Sequence, residues 1–229
     1  MAGKISDVIR KRVESKNLPF NSTDNISEFI EPGELSLLID EVTERMGDLL
    51  SSLVIDTEND HNTHDTARRI AKMYINEIFN GRYSKRPNVT AFPNAKKYDQ
   101  LYVTGPITIR SVCAHHFQNF TGVAYIGVFP GSNVIGLSKF NRIANWYASR
   151  PSIQEELTIQ IADEIESLTK ADGIGVLIKA SHSCMTCRGI QESYSDFTTS
   201  AMRGTLRTEP TLKEEFFHIL SGMKGWGNN

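Results

Sequence analysis

Cysteine and histidine supply the soft donor atoms of this chain, and they are clustered. Cys113-Ala114-His115-His116 and His182-Ser183-Cys184 hold two of the three cysteines and three of the six histidines. Thiolate with imidazole is a donor set that suits zinc, and three protein ligands with a fourth position open is the catalytic arrangement. An open site of Cys113, His116 and Cys184 would leave that position to water, whose pKa zinc lowers from about 15.7 towards about 7. Hydrolysis at an electrophilic carbon is the chemistry this spacing favours, and His115 and His182 remain for proton transfer. The alternative is a closed structural clip, because Cys113-x-x-His116 with Cys184-x-x-Cys187 has Cys3His spacing. Extended chain argues against the clip: it aims His182 and Cys184 the same way but puts Cys184 and Cys187 on opposite faces.

A second group of residues suits an anion. Lys139 and Arg142 stand three apart at a predicted helix start, where backbone amides are exposed and Ser138 is the expected N-cap. With Arg69, Lys72 and Arg188 they make five cations flanking the Cys/His patches. Singly, each reads as a solvated surface charge; joined in space, they would suit several phosphates. Glu155 opens a further predicted helix, where the helix dipole alone favours a carboxylate.

The elements that must position these residues show in the apolar spacing. Val8, Ile9 and Val13 predict a short helix ended by Asn17-Leu18-Pro19, inside an N-terminal arm (1–33) that is poorly ordered or docked on a partner. Leu37, Leu38, Val42, Met46, Leu49, Leu50 and Leu53 recur at helical period within a segment 34–60. A helix from Thr63–Thr66 to Phe79 should stop at Asn80-Gly81, with Arg69 and Lys72 on one face. Residues 82–98 read as a loop. Strands are expected over 101–112, 120–129 and 174–180, and helices over 140–149, 153–168 and 212–220, before a flexible tail at 223–229. Helix, β-hairpin, two helices and a further strand make an α+β protein.

Bulk properties narrow the function classes. A formal charge of −2 over 229 residues gives no electrostatic reason to expect nucleic acid or a membrane surface. Three cysteines are too few for a disulfide framework, and their company with histidine points to a reducing compartment. No signal-like run follows Met1 and no stretch reaches spanning length, so the expectation is a cytoplasmic protein.

Taken together, the motifs resemble the zinc-dependent, type IA class of GTP cyclohydrolase I. The resemblance is carried by Arg69-Ile70-Ala71-Lys72-Met73-Tyr74, Cys113-Ala114-His115-His116-Phe117, Val134 to Arg142, Arg150-Pro151-Ser152-Ile153-Gln154-Glu155, His182-Ser183-Cys184, Arg188-Gly189-Ile190 and Thr198-Thr199-Ser200, in the family's order. It implies a tunnelling fold over 61–222, an antiparallel sheet with helices on its outer face, whose subunits join into a barrel as a homodecamer with sites shared between them. It implies conversion of GTP and water to 7,8-dihydroneopterin triphosphate and formate. On that pattern Cys113, His116 and Cys184 ligate Zn2+, His182 protonates the purine, His115 assists ribose opening, and Ser138 serves near the ribose. Glu155 holds guanine, Gln154 lies near the sugar hydroxyls, and Arg69, Lys72, Lys139, Arg142 and Arg188 hold the triphosphate. Ala114 departs from the pattern, where many members carry Glu, and so do Arg68, Ala67, Cys187 and Phe197. Two rival readings are a fold relative such as the nitrile reductase of 7-deazaguanine synthesis and a non-catalytic, zinc-clipped nucleotide-binding or scaffold protein.

Overall fold

The computed structural model describes residues 3–225, and the chain divides after Lys85 into two units, each with its own core. The first two residues of the expected arm, and the expected tail from residue 226 on, lie outside the described residues.

The first unit is helical. Helix α1 (Ile5–Glu14) forms within the stretch read as an arm, and its Ile9 and Val13, four apart on one face, are buried against Ile26. Helix α2 (Glu34–Ser52) forms in the predicted segment, but the buried face is not the predicted stripe: Leu38 and Ile39 pack against Ala71 and Ile75, while Leu37 and Leu49 are exposed. Arg12 of α1 grips Glu34, the first residue of α2, with guanidinium nitrogens 2.6 and 2.8 Å from the two carboxylate oxygens. Helix α3 (Thr66–Met73) widens to a π-turn over Tyr74–Ile78 and is followed by a single turn, α4 (Asn80–Tyr83). Asn80-Gly81 is thus not the stop that its composition suggests. The termination comes from a distant partner: the Asn25 amide donates to the carbonyls of Gly81 (2.8 Å) and Ser84 (2.7 Å), satisfying the orphan acceptors of the last turn.

The second unit is built on a sheet. Its elements are β1 (Ala91–Pro93), β2 (Tyr102–Cys113), β3 (Asn119–Phe129), β4 (Asn133–Ile135), α5 (Leu137–Ala148), β5 (Pro151–Ser152), α6 (Gln154–Thr169), β6 (Gly173–His182), α7 (Ser183–Thr186), β7 (Phe197–Gly204), α8 (Thr205–Thr208) and α9 (Pro210–Ser221). Strand order is β5-β2-β3-β6-β7, antiparallel except where β5 runs parallel to β2; β1 and β4 form a separate ribbon. The predicted loop 82–98 therefore contains β1. Strand β7 escaped the sequence pattern because it is a polar edge strand whose one fully buried residue is Ala201.

Period-two alternation sorts the core onto both faces of the sheet. Ala124, Ile126 and Val128 of β3 and Ile174, Val176 and Ile178 of β6 pack with Phe140 and Ile143 of α5 and Leu157, Ile161 and Ile165 of α6. The intervening Tyr125 and Leu177 face the other way, onto Leu206, Phe216 and Leu220. Fully burying each such Ile, Leu or Phe is worth about 1.5–3 kcal/mol. Gly127 makes this second layer possible, since a Cβ there would come within 2.5 Å of the Phe216 ring. Among the described residues no helix is long and apolar enough to cross a membrane.

Candidate active site at one end of the sheet

Register gathers the chemistry-bearing residues at a single end of the five-stranded sheet. Cys113 ends β2; the hairpin then turns through Ala114–Gln118, with the Cys113 N–H donating to the Gln118 carbonyl at 2.8 Å and Phe117 N–H to the Cys113 carbonyl at 2.9 Å. Phe117 takes a left-handed φ of 51° to close this turn, which leaves His115 and His116 exposed. On one side Cys113 stands beside Ser152 of β5, and Ala114 N–H donates to the Ser152 carbonyl at 3.1 Å. That pairing delivers Gln154 and Glu155, the first residues of α6, to the same end. On the other side Phe120 pairs with His182, the last residue of β6, and Ala180 pairs with Phe197, the first of β7.

The His182 ring is held on three sides. Phe120 stacks on it at 4.6 Å and 8°, Phe197 meets it edge-on at 5.9 Å and 77°, and its Nε2 lies 2.8 Å from Gln154 Oε1. The Gln154 side chain, 1% exposed, spends its amide hydrogens on the carbonyls of Ile178 (3.0 Å) and Phe197 (3.1 Å) and on Thr199 Oγ1 (3.0 Å). A reversed amide would set its oxygen against two carbonyls, so Oε1 is the atom facing His182 and it can only accept. His182 therefore carries a proton on Nε2, and Nδ1 is the nitrogen whose protonation can change. Burial lowers the His182 pKa below the usual imidazole value, while the nearby Glu155 carboxylate pulls it the other way. Gln154 has no amide hydrogen left for a sugar hydroxyl, the task implied by the resemblance.

Cys184 reaches the site by a route the sequence pattern did not predict. The chain leaves β6 at His182 and at once forms the turn α7, so the expected extension that would aim His182 and Cys184 alike is absent. The turn carries the Cys184 thiol within hydrogen-bonding reach of Cys113. Burial, and then the charge and hydrogen bond of Cys113, raise the Cys184 pKa; Arg188 opposes them. Cys113, His115, Gln154, Glu155, His182 and Cys184 line one cavity of about 410 Å³, together with Phe197.

The remaining expected residues stand on other elements. Ser138 is not the N-cap of α5: Gly136 occupies that position in extended conformation, and Ser138 is the second helical residue, exposed, without a side-chain cap bond. It lines a separate cavity with Thr104, Ile107 and Asn141. Lys139 Nζ donates to the Asn88 carbonyl at 2.9 Å, and Arg142 is exposed on the same helix. Arg69 and Lys72 are exposed on α3 of the first unit, with Arg69 3.6 Å from Asp65. Phe120, Phe197 and Thr199, which hold His182 and Gln154, had been given no role, because nothing local in the sequence marks a cross-strand partner.

Among the described residues, no group of three or more His, Cys, Asp or Glu side chains is gathered closely enough to hold a metal ion. The chemistry of the donor set nonetheless fits one. Two thiols face each other, with burial and then Cys113 raising the Cys184 pKa, and a cation at the thiols would favour the Cys184 thiolate. Ser152, in register with Cys113, has a buried hydroxyl with no hydrogen-bond partner among the described residues, an unspent donor that a thiolate can use. His116 stands three residues from Cys113 on the exposed turn, outside the cavity lining.

Comparison with known proteins follows the same residues. The family model for GTP cyclohydrolase I matches residues 42–221. The GTP cyclohydrolase 1 of Aeromonas salmonicida (strain A449) is 40% identical over 178 residues, which cover 77% of this chain and 80% of that protein. The GTP cyclohydrolase 1 of Vibrio vulnificus (strain YJ016) is 36% identical over 182 residues, or 79% of this chain and 83% of the other. Among solved structures, the archaeosine synthase QueF-like protein in its apo form aligns with 52% of this chain and 97% of its own, at 16% identity and a TM-score of 0.35.

Proposed function

Because the chain belongs to the GTP cyclohydrolase I family, whose tunnelling fold is α+β, we propose that it opens and rearranges GTP to 7,8-dihydroneopterin triphosphate with release of formate. One observation supports this reading above the others: an imidazole held through a single nitrogen stands in the same cavity as a facing pair of thiols and an exposed carboxylate.

Cys113, His116 and Cys184 are the residues that would hold Zn2+, which when bound supplies Lewis-acid activation of water for attack at carbon. The chain's own groups do the rest. His182, anchored by Gln154 at Nε2, gives a proton from Nδ1 to the imidazole ring of the purine and so makes C8 the electrophile. His115 moves a proton as the ribose ring opens, and Ser138 serves near the ribose during rearrangement. Glu155 accepts the N–H donors of guanine; a purine without them would leave a carboxylate unpaired, which is the costly outcome that gives specificity. Arg69, Lys72, Lys139, Arg142 and Arg188 hold the triphosphate. Gln154 is assigned to His182 instead of the sugar.

The chain reads as one subunit of a homo-oligomer, a decamer by family pattern, with sites completed by neighbouring subunits. Ser138 lining a cavity separate from that of Cys113 and His182 supports this, since a subunit interface can join what one chain keeps apart. Three free cysteines, two of them assigned here as metal donors, support a cytoplasmic setting.

The test is direct. Metal-loaded protein incubated with GTP is expected to release formate and the pterin chromophore in equal amounts, to stop on chelation and to resume with added zinc. Binding of both GTP and zinc without formate would remove the hydrolase reading.

A further inference from the structure

Cys187 takes no part in the reaction proposed above, yet the fold sets it beside one that does. Cys184 lies within the turn Ser183–Thr186 and Cys187 closes it, its N–H donating to the Ser183 carbonyl at 3.0 Å. Residues three apart on a helical turn are neighbours, with Cβ atoms about 5–6 Å apart. That spacing falls near the range from which a disulfide forms with a small adjustment of the backbone. Room to adjust is present, because residues 187–196, between the turn and β7, are exposed and outside any helix or strand. Both thiols are free of disulfides; Cys187 is exposed, and its sulfur lies 3.6 Å from the Thr186 hydroxyl. Cys113, the other thiol near Cys184, is buried and fixed in the β2–β3 hairpin by its backbone N–H to Gln118 and its carbonyl to Phe117.

We propose that Cys184 and Cys187 form an oxidisable dithiol, and that a peroxide converts it to a disulfide which withdraws Cys184 from the metal site. The withdrawal rests on Cys184 being a metal ligand, as proposed above; the pairing itself does not. In the first step the Cys184 sulfur attacks the peroxide, the O–O bond breaks, and a sulfenic acid forms with loss of water. The Cys187 thiol then attacks that sulfur, the S–S bond forms, the S–O bond breaks and a second water leaves. The two thiols are oxidised by two electrons and hydrogen peroxide is reduced to water.

Trypsin makes the pairing readable. Cleavage after Lys179 and Arg188 puts both cysteines in peptide 180–188, whereas Cys113 falls in peptide 111–139. Metal-loaded enzyme is treated with hydrogen peroxide, alkylated without reduction and digested. The expected product is an unalkylated 180–188, lighter by the two hydrogens lost, formed in step with zinc release and loss of formate production, all reversed by dithiothreitol with added zinc. Cys187→Ser should keep basal activity and give no light peptide. Alkylation of both cysteines at an inactivating dose, or a cross-link between peptides 111–139 and 180–188 as the main product, would overturn the pairing. A light peptide with zinc retained would overturn the withdrawal. Protein that forms the light peptide but never held zinc or made formate would keep the dithiol while removing the metal-centre reading.

Discussion

His182 and Gln154 share a hydrogen bond of 2.8 Å whose direction is set by the strands around it. The Gln154 amide nitrogen is committed to β6 and β7, through Ile178, Phe197 and Thr199, so its oxygen is the end left for the imidazole. Thr158 reinforces the arrangement by binding both the Gln154 carbonyl and Thr199 Oγ1 at 2.7 Å. One tautomer of the imidazole is thereby selected by sheet pairing.

Gln154→Ala tests that selection. Removing a group that orients a proton carrier should lower kcat by about 10–100-fold. The Michaelis constant for GTP and the zinc content should stay near wild type. A contact with the sugar hydroxyls predicts the opposite split, a raised KM with kcat preserved, and steady-state kinetics separates the two.

Gly122 is a second consequence of the same register. It pairs with Ala180 two positions from the Phe120–His182 pair, and a Cβ there would lie 2.0 Å from the Lys179 carbonyl oxygen and 2.6 Å from the Ala180 Cα. Backbone cannot yield as a side-chain tip can, so Gly122→Ala should cost about 3 kcal/mol, the upper part of the usual overpacking range. Thermal denaturation should show a clear loss of Tm, and any folded fraction should have reduced kcat because β3 and β6 carry the ring stack on His182. A Tm equal to wild type would contradict the register.

The sequence made these consequences only partly legible. Where apolar residues recur or run together the elements could be read: the spacing of Leu38, Val42 and Leu50 announced α2, and the apolar runs 120–129 and 174–180 announced β3 and β6. That Cys113, His182 and Cys184 belong together was legible because they are rare types in short clusters, and they line one cavity. What failed was whatever depends on a partner far along the chain. Asn25 ends α4 from across the first unit, and Gln154 finds its acceptors on β6 and β7. The Ser138 cap was misread because Gly136 starts α5 two residues earlier without any side-chain bond. The turn at Ser183–Thr186 has no signature in its composition, so the extended reading there was overturned by the fold alone.

Glu155→Gln bears on substrate choice. Glu155 lines the cavity in the first turn of α6, and it is assigned to the N–H edge of guanine. Replacing the carboxylate by an amide should reduce kcat/KM for GTP by about 100-fold. It should also narrow the preference for GTP over inosine triphosphate, which lacks the exocyclic amine. An unchanged preference would move guanine recognition to another residue.

The last prediction concerns the helical unit and acid. The Arg12 guanidinium, and then the Glu31 N–H at 2.8 Å, hold the Glu34 carboxyl below its usual value of 4.5. A carboxyl whose pKa is depressed on folding contributes stability that is complete above the unfolded value and is lost as pH falls through the folded one. The contribution is therefore present at neutral pH and fades below about pH 4.5. Glu34→Gln keeps the shape but not the charge, so its Tm should lie a few degrees below wild type at neutral pH. The gap should close when both proteins are melted in acid, after Glu34 has taken up its proton. Circular dichroism melts at the two pH values measure this, and a gap of equal size in acid would show that the Arg12–Glu34 pair stabilises the unit through shape and not through charge.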